Sequence, residues 1–388
     1  MFVSSRIAKS FAISSRHFRA LWSLDQWACQ TARMRTELDM ELLGQTVQDL
    51  YRFKQGEVIS AILHMGNRLA LLEALDRTGP TTSAALAGAT GLHERWVREW
   101  LFAVAATELI VHEDGEFALT PEASAALVQP GHLAAMSGVF GPPITHAEID
   151  RTIEAFRSGV GMTWDDHGEH TCHFQAAMGA AGQKAWLVPV ILDSVAGMTD
   201  RLRSGLTVVD VGCGAGVAAT AIAKAFPASN VVGVDPSSHA IESANTNAVE
   251  AGVSNLSFRT GTFDDLTDLG PIDLLLTLDV IHDLPHPRAA VRSARSSLAD
   301  DGVWLVCDIK TRGGLEDNRK IPVLPLMYGM SILYCMSSAM SEPDGAGLGT
   351  LGLTEELMQE FATAAGFKSI VSRTFDIDPL NRYFEIRP

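Results

Sequence analysis

Gly212, Gly214 and Gly216 stand at alternate positions directly after the β-branched run Val208-Val209-Asp210-Val211, and Val217-Ala-Ala-Thr-Ala-Ile-Ala-Lys-Ala-Phe226 follows with helical character. A strand, a tight turn and a helix are predicted, an arrangement that opens many nucleotide-type sites. Glycines let the backbone approach a ligand where a Cβ would collide, and a helix N-terminus offers free N–H groups. A second apolar run, Val231-Val232-Gly233-Val234, ends in Asp235, nineteen residues after Gly216. An acid at that place can accept hydrogen bonds from both hydroxyls of a ribose. The spacing Asp-x-Gly-x-Gly-x-Gly differs from the Gly-x-Gly-x-x-Gly of dinucleotide sites, and an acid at the end of the first strand suits a ligand that carries an ammonium rather than a pyrophosphate.

Further along, Leu278-Asp279-Val280-Ile281-His282-Asp283 follows the strand centred on Leu274-Leu275-Leu276. That places His282 at the carboxyl edge of a parallel sheet, where ligands bind. It is read either as a base that takes a proton from a hydroxyl or as a packing histidine. Asp165-Asp166-His167, with His170, Cys172 and His173, is the densest group of potential metal ligands. Its spacing matches no closed zinc pattern, so no metal is expected, and His170 and His173 are candidates for substrate contact. Met327-Tyr328 and Leu333-Tyr334-Cys335-Met336 precede a Gly-Leu-Gly-Thr run and suit the roof of a pocket for an apolar or planar substrate, with Tyr328 and Tyr334 facing it; plain core packing is the alternative.

The motif at 210–216, joined to Asp235, resembles the class I S-adenosylmethionine-dependent methyltransferases over roughly the C-terminal half of the chain. His-Glu-Arg-Trp-Val-Arg-Glu-Trp-Leu, residues 93–101, is similar to the winged-helix module of a group of mycobacterial and other bacterial methyltransferases. The resemblance implies an α/β fold, a Rossmann-like seven-stranded sheet with an N-terminal, mostly helical winged-helix domain, and S-adenosyl-L-methionine as cofactor. Asp210 would act near the methionyl ammonium, Gly212, Gly214 and Gly216 would lie under the cofactor, Asp235 would hold the ribose, and Leu278 and Asp279 would line the methionyl end. Phe263 could stack on the adenine and Asp264 accept from its amino group, unless either is a helix cap or a core residue. The His282-Asp283 pair resembles the histidine-aspartate step of plant-type O-methyltransferases, which implies O-methylation of a small molecule with His282 as base. S-methylation of a small thioether or thiol, resembling methylthiohydroxybutyrate methyltransferases, is the alternative enzyme reading. A ligand-sensing or interaction protein that keeps the fold is the non-catalytic one.

The elements that must position these residues alternate from residue 205 onward: strands at 206–211, 230–234, 255–259, 272–277 and 302–308, helices at 216–226, 238–251 and 286–299, then a helix at 354–365 and closing strands, the last antiparallel. Upstream, apolar spacing predicts a helix over 57–76, two shorter helices, and a hairpin around Asp114-Gly115, which together make a winged helix. Helices are also expected over 147–157 and 174–198. The division reads as a leader at 1–35, a winged-helix and dimerisation domain at 36–128, a helical connector and substrate wall at 129–200, and the cofactor domain at 201–388.

Charge decides against nucleic acid as a partner. The chain of 388 residues carries a formal net charge of −16, and residues 57–127 hold four basic against ten acidic side chains. A phosphate backbone repels such a surface, and an anionic membrane does the same. A small-molecule methyl acceptor and a second copy of the chain are the expected partners. The uncharged stretch Ile321–Met340 is interrupted by Pro322, Pro325 and Gly329 and reads as a buried lid rather than a membrane span. Five cysteines without CxxC spacing indicate a reducing compartment. The first 24 residues, with Arg6, Lys9, Arg16, Arg19, six serines and no acid, have transit-peptide chemistry. An organellar, mitochondrial location stands beside a cytoplasmic one with a start at Met34 or Met40.

Overall fold

The structure is a computed structural model that describes residues 37–129, 132, 135–169, 171, 174 and 182–388. His170 and His173, most of the leader, and part of the expected 174–198 helix lie outside the described residues.

In the N-terminal part, α1 (Met40–Arg68), α2 (Leu71–Thr78), α3 (Ser83–Thr90) and α4 (Glu94–Ala105) precede the hairpin of β1 (Ile110–Glu113) and β2 (Glu116–Leu119). Asp114 and Gly115 both take positive φ, 49° and 84°, as a two-residue primed turn requires, and Glu113 pairs with Glu116. The expected 57–76 helix is two helices, bent by 70° at Leu69-Ala70, where Ala70 has φ 53°. The bend lets Leu63 of α1 and Leu71, Leu72 and Leu75 of α2 enter one core with Val97, Trp100 and Leu101 of α4, which a straight helix could not do. Trp100 donates from Nε1 to Ile62 O (2.9 Å), whereas Trp96, one turn earlier on α4, is 78 % exposed. Among the described residues no single helix is long and apolar enough to cross a membrane.

The connector carries α5 (Pro121–Leu127) and α6 (His146–Ser158), the latter started by a capping box of Thr145 and Glu148. The expected 174–198 helix does not run through: a π-helical turn at Leu187–Leu192 ends it, Gly197 (φ 72°) redirects the chain, and α7 begins at Met198 (Met198–Ser204). The break aims Leu187, Ile191, Leu192, Val195 and Met198 at one face of the sheet.

The C-terminal part alternates β3 (Thr207–Val211), α8 (Val217–Ala225), β4 (Asn230–Asp235), α9 (Ser238–Ala251), β5 (Leu256–Thr260), β6 (Ile272–Leu278), α10 (Pro287–Ser297) and β7 (Leu298–Ile309). After a roof of α11 (Leu324–Met330), a π-helical turn at Ser331–Cys335 and a short helical piece at Met336–Ala339 come α12 (Glu355–Ala364), β8 (Ser369–Phe375) and β9 (Asp378–Arg387). The seven strands lie in the order β5-β4-β3-β6-β7-β9-β8, with only β9 antiparallel to its neighbours. Leu274, Leu275 and Leu276 of β6 are fully buried, as a strand covered on both faces requires. The strand order reverses between β3 and β6, so the carboxyl ends of β3, β4, β6 and β7 open onto one crevice.

Candidate active site

The turn after β3 builds the floor of that crevice. Gly212, Gly214 and Gly216 have φ of 71°, 52° and 73°. A Cβ on Gly212 would meet Val280 Cγ2 at 2.4 Å, so the turn packs against the loop after β6, while a Cβ on Gly214 would meet nothing within 4 Å. Gly214 therefore presents bare backbone to open space, the side from which a ligand can lie on the chain. The N-cap Gly216 offers no side chain to α8, and within the first turn the Ala219 N–H is directed at Asp210.

Two carboxylates flank the turn. Asp235, 8 % exposed, accepts from Gly214 N through Oδ2 (2.9 Å) and from Ser237 N through Oδ1 (2.9 Å). Burial raises its pKa despite those two donors. Asp210 is 1 % exposed; burial first, and the charge of Asp235 next, push it up to about 7. Its Oδ2 is buried without a hydrogen-bond partner. A cationic ligand group nearby would restore its charge at little cost, because opposite charge favours the ionised form. An orphaned buried carboxylate oxygen, a bare Gly214 and a half-saturated Asp235 fit an S-adenosylmethionine-like molecule.

Phe263, expected as a stacking face for adenine, is instead a core residue: it is 5 % exposed and packs edge-on to Trp304 at 6.5 Å. The cap of that turn is Thr262, closed by Asp265 in a capping box, which leaves Asp264 exposed beside it. Leu278 is partly buried at the end of β6. Asp279 follows with φ 67°, a strained conformation for a non-glycine, held by its N–H on Cys307 O (2.8 Å). Its side chain is 53 % exposed yet ringed by protein, the situation of a group lining a cleft. Burial, then Asp308, Asp283 and Asp378, raise its carboxyl to about 7 against the lowering pull of His282.

His282, read from the sequence either as a base or as a packing histidine, is enclosed and ion-paired. It is 1 % exposed, and its Nδ1–H donates to Asp308 Oδ1 at 2.8 Å. Nε2 lies 3.1 Å from Asp283 Oδ1, a charge contact rather than an aligned hydrogen bond. Burial works to strip the ring of its second proton, but Asp308 and then Asp283 outweigh it and hold the pKa well above the ordinary value. An imidazolium with both nitrogens protonated has no lone pair to offer. Around this cation stand Asp308 and Asp283, with Asp279 Oδ1 a further 3.9 Å from Nδ1, so carboxylates outnumber the cation, and Asp308 Oδ2 and Asp283 Oδ1 have no aligned hydrogen-bond donor. Asp308 was missed by sequence reasoning, although its place at the end of β7, beside the end of β6, was a usable signal.

Asp283, 7 % exposed, also accepts from Trp164 Nε1 through Oδ2 (3.0 Å). Trp164 lies parallel to Tyr334 (6.1 Å between centroids, 12° between planes), and His167 meets Tyr334 edge-on at 5.2 Å. Both ring nitrogens of His167 are buried without partners, and burial keeps the ring neutral by lowering its pKa. Tyr334 thus joins the wall next to Asp283. Tyr328 does not; it packs with Leu324, Met327, Leu351 and Leu380 under the roof, as a core residue would.

Residues 202–340 match the methyltransferase-domain family, and residues 57–129 match the Rv2258c-like winged HTH domain family. A ubiquinone biosynthesis O-methyltransferase of Azorhizobium caulinodans is 33 % identical over 107 residues, which is 27 % of this chain and 41 % of that protein. The chain thus spans about two fifths of the length of this curated relative. Among solved structures, an O-methyltransferase family protein from Burkholderia thailandensis superposes with TM-score 0.61 at 19 % identity, over 88 % of this chain and 97 % of that one. Human N-acetylserotonin methyltransferase, solved with S-adenosylmethionine, gives 0.59 at 17 % identity, over 91 % and 99 %. Those two likenesses carry the fold.

Proposed function

We propose that this chain, a class I S-adenosylmethionine-dependent methyltransferase with an N-terminal winged helix, transfers the methyl group to a hydroxyl of a small molecule. The bound cofactor supplies an electrophilic methyl on sulfur. The protein's own part is placement and proton handling. Gly214 and Asp235 fix the ribose end, Asp210 balances the ammonium end, and the Trp164–Tyr334 wall orients a planar acceptor; holding the two reactants in line accounts for most of the acceleration such a site can give.

The observation that carries the choice of oxygen is Asp283, a carboxylate at the wall whose neighbour is a buried imidazolium backed by Asp308. A hydroxyl docked against Trp164 and Tyr334 can pass its proton to the Asp283 carboxylate, which lowers the negative charge around His282 by one. Such proton transfer is worth roughly 10²–10⁴ in rate. A thioether has no proton to lose and leaves this group idle. The test is methyl transfer from labelled S-adenosylmethionine to a panel of phenols, aliphatic alcohols, thiols and thioethers. With a hydroxyl acceptor, Asp283→Asn should lower kcat at least a hundredfold while cofactor binding stays within threefold. Turnover of thioethers alone, indifferent to Asp283→Asn, would establish the S-methyl reading.

The same reading includes a homodimer. The exposed stripe Leu43, Val47, Leu50 and Val58 on α1 is the apolar face that a second copy would cover. Light scattering should give twice the mass of the 41.7 kDa chain, and Leu50→Glu should return it to one.

A further inference from the structure

The segment Gly161–His167 belongs to no strand or long helix, yet it touches both halves of the crevice. It starts against the roof: Gly161 N donates to Met340 O (2.8 Å) and Met162 N to Ser337 Oγ (2.9 Å). A Cβ on Gly161 would meet Ser337 O at 2.1 Å, so backbone lies directly on backbone there. Trp164 then reaches Asp283 and Tyr334 on the acceptor side. The next residue, Asp165, reaches the donor side: its Oδ1 accepts from Ser237 Oγ (3.0 Å), Ser238 N (2.9 Å) and Ser238 Oγ (3.1 Å). Ser237 is the residue whose N–H holds Asp235. Asp166 turns the chain back on itself through Thr163 (2.6 Å to its hydroxyl) and Arg151 (3.2 Å).

Two neighbouring residues therefore tie the loop after β6 to the start of α9 across the crevice mouth. The chemistry of the two ties differs. At its roof end the segment is anchored through buried groups, Met162 and Ser337, whereas Asp165 is exposed and two of its three hydrogen bonds to the start of α9, those from Ser238, are open to water. Bonds of that kind are weak and break readily, while the charge suits the positive end of a 14-residue helix. The result is a segment with a fixed root and a releasable tip. It lies where a donor on Gly214 and Asp235 and an acceptor at Asp283 must both pass.

We propose that Gly161–His167 is a strap that closes over the bound donor, with Asp165 the positioning residue that sets Ser237 and hence Asp235 at the ribose, and Trp164 the residue that carries closure to the acceptor wall. This rests on the S-adenosylmethionine reading. Closure then raises donor residence time, and the Trp164 indole changes surroundings when the donor binds.

The test uses the full chain and S-adenosylhomocysteine as the probe, with calorimetry for affinity and stopped-flow tryptophan fluorescence for rates. In the wild type, binding should change the fluorescence. Trp164→Phe should bind by calorimetry and lose most of that change. Asp165→Asn should release the probe about tenfold faster with its association rate within threefold, the loss of roughly one good hydrogen bond. Ser238→Ala should give part of that effect, and combining the two should add nothing, since both remove the same tie. Release within twofold of wild type in a folded Asp165→Asn, or a full fluorescence change in Trp164→Phe, overturns the strap and leaves the donor reading standing. A folded wild type that does not bind the probe removes both.

Discussion

Asp235→Asn tests the donor site through a single charge. Each oxygen of this carboxylate already accepts one backbone N–H, from Gly214 and from Ser237, both at 2.9 Å. Each retains a lone pair for one ribose hydroxyl. Hydrogen bonds to a charged acceptor contribute about 1.5–3 kcal/mol each, so two make roughly 3–6 kcal/mol. Some of this is offset, because burial already penalises the charged form of Asp235. A net loss of about 3 kcal/mol is expected, which is roughly a hundredfold in Kd at 1.4 kcal/mol per factor of ten. The amide also sets an NH₂ against one of the two backbone donors, at a stability cost of about 1–3 kcal/mol. The assay is calorimetric titration of S-adenosylhomocysteine into wild type and variant, with thermal unfolding of both. A variant that melts within a few degrees of wild type and binds within threefold of it would refute the assignment of Asp235 to the ribose.

Other expectations follow from the same geometry. Asp308→Asn replaces the charged acceptor of the His282 Nδ1–H and the Ile309 N–H while Asp283 still faces the ring, and denaturant unfolding should show a loss of about 1.5–3 kcal/mol. The raised pKa of His282 means that its charge stabilises the fold fully below its unfolded value of about 6.5 and ceases to do so as pH rises through the higher folded value. The stability advantage of wild type over His282→Gln should therefore shrink as unfolding is measured at increasingly alkaline pH; an advantage that grows would mean that the ring is neutral in the fold. Gly214→Ala meets no atom within 4 Å but keeps a φ of 52°. It should cost only about 1–2 kcal/mol of stability by unfolding, while S-adenosylhomocysteine binding by calorimetry drops tenfold or more, because the methyl occupies ligand space.

The donor half of the site was legible because it is local. Asp210, the glycines and Asp235 belong to one strand-turn-helix-strand unit whose spacing fixes their relation before any packing is known. The acceptor half was not. Trp164 and Asp283 are 119 residues apart, and nothing in the spacing of either points to the other. The state of His282 depends on Asp308, 26 residues on, and on burial that a sequence does not display. Phe263 stayed open because an aromatic after the third strand suits adenine and core equally, and its edge-on packing on Trp304 in their shared core favours the core. The 57–76 helix was read through its bend because Ala70 favours helix locally, whereas the shared core of α1, α2 and α4 requires a left-handed residue there.

The π-helical turn at Ser331–Cys335 has a consequence for how such a roof can diversify. A π turn is an α-helix with one residue too many, and the surplus rotates everything after it by about 100° relative to an uninterrupted helix. Met336–Ala339, with Ser337 under Met162, and Tyr334 opposite Trp164 owe their aim to that surplus residue. A one-codon deletion here would swing them away without altering any side chain, and a one-codon insertion elsewhere in the roof could swing others in. Acceptor preference among chains with this roof can therefore drift by changes in length at a constant composition, and alignments that treat such gaps as noise would discard the variation that matters.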